Sequence, residues 1–305
     1  MHDVARSGNV DAMQMLLASG AGAAMFSVNG NHDTALDIAA YCNHVDVVRL
    51  MLDYRDTSTH TSTTHYVSTA LQKAACRGHT SVVRLLLAAG ADVNTADHSY
   101  KYIQHSTVLH TAASKGHVEV MRLLLAAGAD VNVTDPYKFT PLHIAATCNG
   151  GVDVVRTLLA AGAALNATDC CAETALHIAV REWRTDVVKV LLAAGAHVEP
   201  NDGDEGTPLH QAALNGNLKA MRLLLDAGAD VNAPGRLPLL HVAVDQGQTA
   251  MVRVLLAAGV EVHSEEAWVS SDGDGAKMVV REARRRSRWS KCRTFWLFAV
   301  IGRRS

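Results

Sequence analysis

Aromatic residues make up only 5% of this 305-residue chain, against 49% hydrophobic residues in all. A core of large interlocking rings is thereby excluded, and any core is assembled from many small aliphatic contacts. Alanine and leucine dominate, which suits closely packed helices. The six cysteines (Cys42, Cys76, Cys148, Cys170, Cys171 and Cys292) are scattered, with neither a CxxC pair nor the dense framework of a small secreted domain. That pattern predicts free thiols and a reducing, cytoplasmic setting. No apolar N-terminal run has the form of a secretory leader, and the longest apolar run near the C-terminus, Phe295 to Ile301, is far too short for a bilayer.

Catalytic signatures are lacking as well. There is no HExxH, GxSxG or GxxxxGK, and no GxGxxG opening a helix after a strand. The DGDG at residues 272–275 lies in a polar stretch without the rest of a phosphate or calcium loop, so it reads as linker. Cys170 and Cys171 have no fixed base beside them and read as ordinary exposed thiols. Sixteen histidines invite a metal hypothesis, yet His60, His65, His98 and His105, which fall outside the regular pattern described next, share no ligand-like spacing with a carboxylate or cysteine. No catalytic residue, metal site or cofactor is expected, and the chain does not read as an enzyme.

What is present is a repeat. LLLAAGADVN stands at Leu85–Asn94 and Leu123–Asn132, and returns as LLLDAGADVN at Leu223–Asn232. A second phrase precedes each copy: TALDIAA from Thr34, TALQKAA from Thr69, TVLHTAA from Thr107, TPLHIAA from Thr140, TALHIAV from Thr174, TPLHQAA from Thr207 and PLLHVAV from Pro238. His110, His143, His177, His210 and His241 are spaced by 33, 34, 33 and 31 residues, the period of one helix–turn–helix unit with its connecting loop. Thr140 suits an N-cap and Pro141 the first helical position. In the unit after His117, the residues Val118, Met121, Leu124 and Leu125 fall on one helical stripe, Arg122 faces outward, and Gly128 supplies the left-handed residue that stops the second helix.

At TPLHIAA and GADVN the chain resembles the ankyrin-repeat family. The resemblance implies an all-α repeat solenoid of stacked helix–turn–helix units with β-turn fingers. It divides the chain into a partial N-terminal repeat at 1–33, seven repeats at 34–263, and a basic, partly disordered C-terminal tail at 264–305. It also implies that the TPLH-type histidines hold the turn, and that His44, His79 and His117 occupy matched positions between the helices of their units. No unit buries its apolar face alone, so stability comes from neighbours stacking into one core.

Departures from the repeat mark a candidate binding face. One finger is stretched over Asp56–Ser68, the next carries His98–Ser106, and Tyr137 and Phe139 occupy the one after, while Trp183 replaces the glycine expected behind the first helix of its unit. Aromatics on a rim anchor protein interfaces, so the expected partner-binding residues are Tyr66, Tyr100, Tyr102, Tyr137, Phe139 and Trp183. The function that follows is a non-catalytic, monomeric scaffold binding another protein through finger tips and inner helices. Two alternatives remain open. Aligning Gly8 with Gly116 starts the chain inside a first helix, so it can be a fragment in which the repeats regulate or recruit for a ubiquitin ligase, enzyme or channel. Residues 277–305 hold ten Lys/Arg against Glu282, about +9, leaving about −11 for residues 1–276 of the total −2. Arg281, Arg284, Arg285, Arg286 and Arg288 are therefore candidate contacts to nucleic acid or an anionic membrane, and a nuclear address.

Overall fold

In a computed structural model of the chain, the described residues are 1–54, 63–96, 106–147, 151–200, 206–233 and 237–261. They fall into two compact units, Met1–Cys170 and Cys171 onward, and the described residues of both are helical with connecting turns. The first unit holds α1 (His2–Ser7), α2 (Val10–Ala18), a 3-10 turn (Ala21–Phe26), α3 (Ala35–Tyr41), α4 (Val45–Asp53), α5 (Thr63–Arg77), α6 (Thr80–Ala88), α7 (Val108–Lys115), α8 (Val118–Ala126), α9 (Pro141–Thr147) and α10 (Gly151–Ala160). The second holds α11 (Ala175–Arg181), α12 (Thr185–Ala193), α13 (Pro208–Leu214), α14 (Leu218–Asp226), α15 (Leu239–Asp245) and α16 (Thr249–Ala257). Odd-numbered first helices pack in one row and even-numbered second helices in another within each unit, as the repeat pattern implies.

Four first helices, α7, α9, α11 and α13, start where threonine meets histidine. The backbone N–H groups of Thr107, Thr140, Thr174 and Thr207 donate to Nδ1 of His110, His143, His177 and His210 at 3.3, 3.1, 3.1 and 3.3 Å. An Nδ1 that accepts leaves the ring proton on Nε2. That proton reaches the next finger: His110 Nε2 donates to the Phe139 carbonyl at 3.0 Å and His177 Nε2 to the Gly206 carbonyl at 3.3 Å. One buried imidazole thus closes its own turn and fixes its neighbour's. Burial pushes His110 below the ordinary 6.5, against the opposing pull of the Phe139 hydrogen bond and the Asp135 charge.

Asp37 takes the histidine's place in α3. Its Oδ2 accepts the backbone N–H of Thr34 at 2.8 Å and the Thr34 hydroxyl at 2.7 Å. Burial pushes this carboxyl above its ordinary 3.8, and the hydrogen bonds and nearby Lys73 only partly offset that. Lys73 itself pairs with Asp33 at 2.8 Å.

The second helices bury a stripe at i, i+1 and i+4: Val47, Val48 and Met51; Val82, Val83 and Leu86; Val120, Met121 and Leu124. The expected stripe in α8 is thus shifted. Val120 is buried, whereas Val118 and Leu125 are only half-buried, because the helix packs on both its partner and the adjoining second helix. Arg122 is exposed and Gly128 has φ 89°, both as expected. Ala112 and Ala113 are fully buried where first and second helices meet, and a larger side chain there would part them.

One unit departs from its pattern. α5 begins at Thr63, six residues ahead of Thr69, which aligns with the capping threonines. Gln72 stands at the histidine position. Its amide donates to the carbonyls of Thr95 and Ser106 at 3.4 and 3.3 Å instead of accepting from the turn. With no imidazole to receive the Thr69 N–H, the helix runs on upstream, and the Thr69 hydroxyl donates to the Tyr66 carbonyl at 2.9 Å. The stretched finger read from the sequence is therefore partly helix.

Candidate functional site

The fingers are shaped before their side chains are placed. Asp135 Oδ1 accepts the backbone N–H groups of Tyr137 and Phe139 at 2.9 and 2.8 Å, and Lys138 between them takes φ 61°. The reversal turns Tyr137 outward, 64% exposed, and the Cys170 N–H ties its carbonyl at 3.0 Å. Phe139 turns the other way. It is half-buried, with its ring edge-on to His143 at 5.8 Å.

Trp183 stands at the end of α11 with φ 59° and 57% of its surface exposed. Its counterparts Gly8, Gly78, Gly116, Gly216 and Gly247 have φ between 67° and 76°, so the turn calls for a left-handed residue and tryptophan adopts that conformation against its Cβ. The sequence expectation that Trp183 replaces a glycine holds at the level of backbone geometry.

Tyr66 is not on a finger. It lies at the end of the first turn of α5 and stacks on Phe26 at 5.0 Å, half-buried, where it seals the 3-10 turn against the first-helix row. Tyr100 and Tyr102 lie outside the described residues, as do Arg281, Arg284, Arg285, Arg286 and Arg288. Tyr137 is thus displayed on a finger of the first unit and Trp183 at a helix end of the second, while Phe139 and Tyr66 lie largely in packing.

A further row escaped the sequence reading. Arg6, Tyr41, Cys76, Ser114 and Thr147 occupy one aligned position near the C-terminal ends of α1, α3, α5, α7 and α9, with Arg77 and Lys115 one residue on. Tyr41 is 42% exposed, and the Arg77 guanidinium lies over its ring at 4.9 Å. Side chains of the neighbouring unit brace this row. His44 Nε2 bonds the Arg6 carbonyl at 2.9 Å, His79 the Tyr41 carbonyl at 2.9 Å, and His117 the Cys76 carbonyl at 3.2 Å. In the second unit Asn217 Nδ2 does the same for Val180 at 3.0 Å. A Cβ on Gly78 would come within 2.8 Å of the His117 ring, so here glycine is required by contact as well as by φ.

At the opposite end of each unit, asparagines link fingers. Asn94 Oδ1 accepts from Asp130 N–H at 2.9 Å, and Asn132 Oδ1 from Ala164 N–H at 2.7 Å. In the second unit Asn232 Oδ1 accepts from Glu261 N–H at 2.8 Å, and Glu199 takes the asparagine's place toward Asp230 N–H.

Among the described residues no three His, Cys, Asp or Glu side chains gather as a metal site. A hollow of about 650 Å³ beside α12 is lined by Leu192, His197, Glu199 and Pro200, among others, and its carboxylate is committed to the Asp230 backbone. Cys42, Cys76, Cys170 and Cys171 form no disulfide. No described helix is long and apolar enough to cross a membrane.

The family model for ankyrin repeats (three copies) matches residues 1–97, 96–169, 153–234 and 176–266, overlapping stretches that span most of the chain. No curated protein matches.

Proposed function

The chain belongs to the ankyrin-repeat family, whose members are generally protein-interaction modules, and we propose that it serves as a non-catalytic scaffold binding another protein through first-helix ends and finger tips. The observation that carries this reading is Trp183, a large exposed ring at a backbone position that favours glycine. A left-handed L-residue costs about 1–2 kcal/mol, and strain of this kind collects at functional sites. Nothing in the packing requires the ring, since more than half of it faces solvent. Tyr137, displayed by an Asp135-closed turn, supports the same reading in the first unit. Residues 34–263 are read as seven repeats following a partial one, and the absence of a disulfide among the described cysteines favours a cytoplasmic site of action.

Affinity capture with the full chain tests the proposal. Trp183→Gly, which keeps the turn, and Tyr137→Ala are expected to lose partners that the unaltered chain retains, as is the pair Tyr100→Ala and Tyr102→Ala. Undiminished retention of the same partners by all three would set these rings aside as contacts.

A further inference from the structure

Residues 1–276 carry about −11, yet the first-helix ends of the first unit are basic. Arg6, Arg77 and Lys115 are all exposed, and with Tyr41 they line the ends of four successive first helices, α1, α3, α5 and α7, that pack side by side. None of these cations forms an ion pair among the described residues. Asp11, Asp46 and Glu119, in the first turns of the second helices, do not pair with them, and Glu119 turns to Arg122 at 3.5 Å instead. The Arg77 guanidinium stacks on the Tyr41 ring, which leaves its N–H edge open to an incoming acceptor.

The helix dipole favours a cation at a C-terminus by about 0.3–1 kcal/mol, and that alone could account for one or two of these residues. It does not account for the row. In the second unit the positions aligned with Arg6 are Arg181, Leu214 and Asp245, those aligned with Arg77 and Lys115 are Glu182, Asn215 and Gln246, and Arg181 is already matched by Glu173 and Glu182. A cation is therefore no requirement of the repeat, and the unmatched ones are confined to one stretch. The main chain beneath the row is also held, because His44, His79 and His117 bond the carbonyls of Arg6, of Tyr41 and of Cys76 next to Arg77. The side chains project from an ordered base, which lowers the entropy lost when a ligand arrives.

We propose that the first-helix ends of the first unit bind an acidic peptide segment of a partner protein, whose carboxylates meet Arg6, Arg77 and Lys115 while an apolar residue rests on Tyr41. This rests on the reading of first-helix ends as a binding face. Residues 277–305 of the chain itself carry about +9 and are repelled from this row, so the occupant comes from another molecule. Nucleic acid is disfavoured because three cations neutralise too few phosphates for stable binding.

Selection of random twelve-residue peptides displayed on phage against the full chain tests the idea. Peptides rich in Asp and Glu should emerge, and a synthetic copy should bind the unaltered chain about tenfold or more tighter than the double variant Arg77→Glu, Lys115→Glu. Arg122→Glu, a reversal of an exposed cation on the second-helix side, should leave affinity within about twofold. Three results would each overturn the proposal: selected peptides without acidic excess, binding indifferent to the double reversal (which would place it on residues 277–305), or equal loss with Arg122→Glu. Homopolymeric RNA displaced by the double reversal would reassign the row to nucleic acid, and a dimer dissolved by it, seen in sedimentation, would reassign it to a second copy. Failure in any of these ways leaves captured partners of Trp183 and Tyr137 unaffected, so the two readings fail separately.

Discussion

His79 Nε2 donates to the carbonyl of Tyr41 at 2.9 Å, a bond that spans thirty-eight residues and joins the end of one first helix to the start of the next unit's second helix. A side chain of one unit thereby completes the backbone hydrogen bonding of its neighbour, at a helix end whose last carbonyls have no partner of their own.

His79→Ala should lower stability by about 1 kcal/mol, the usual net worth of such a bond. His79→Asn should recover part of the loss, because Asn217 makes the equivalent contact to Val180 in the second unit. Denaturant midpoints of the two variants, read beside hydrogen exchange in α3, check both statements.

Trp183→Gly should stabilise the chain. Relief of left-handed strain returns about 1–2 kcal/mol, while the greater unfolded freedom of glycine takes back about 0.5–1 kcal/mol. A net gain of about 0.5–1 kcal/mol in chemical denaturation is expected. A loss instead would mean that the indole packs usefully after all.

Stability should depend on pH in two windows of opposite sign. His110 is held below 6.5 when folded, so between its folded value and 6.5 the unfolded chain binds more protons. Its contribution, complete above 6.5, is lost as pH falls through that window. Asp37 is held above 3.8, so its contribution is complete below 3.8 and is lost as pH rises through the folded value. His110→Gln should flatten the decline below 6.5 and Asp37→Asn the decline above 3.8, in denaturant midpoints measured across both ranges.

Asn132→Ala should cost about 1 kcal/mol by removing the acceptor of the Ala164 N–H. The loss should be concentrated in faster exchange of that one amide, with the α8 amides little changed.

Much of this was legible in the sequence. The period, the Thr–His starts and the left-handed glycines such as Gly128 are local, and each is decided within about four residues of chain. The second bond of His110, to Phe139, was not legible, since nothing at position 110 states what lies twenty-nine residues away. The placement of Tyr66 failed for a different reason. Thr63 to Ser68 is polar and lacks an apolar period, so it reads as loop, and only the loss of the imidazole at Gln72 together with the Phe26 stack makes it helix. Tyr41 was overlooked because it is regular in its own repeat and becomes distinctive only beside Arg77.

The opposite reach of two kinds of histidine gives the array an arrow. His110 sends its Nε2 proton forward to Phe139 from a site only 2% exposed, whereas His44 reaches backward to Arg6 at the surface. Trimming the repeats from their C-terminal side would remove the Phe139 carbonyl and uncover this otherwise buried imidazole, at the loss of a bond worth about 0.5–1.5 kcal/mol and of the packing over it. Trimming from the N-terminal side would merely hand an exposed imidazole back to solvent. Shortened versions of the first unit should thus tolerate erosion from the front somewhat better than from the back.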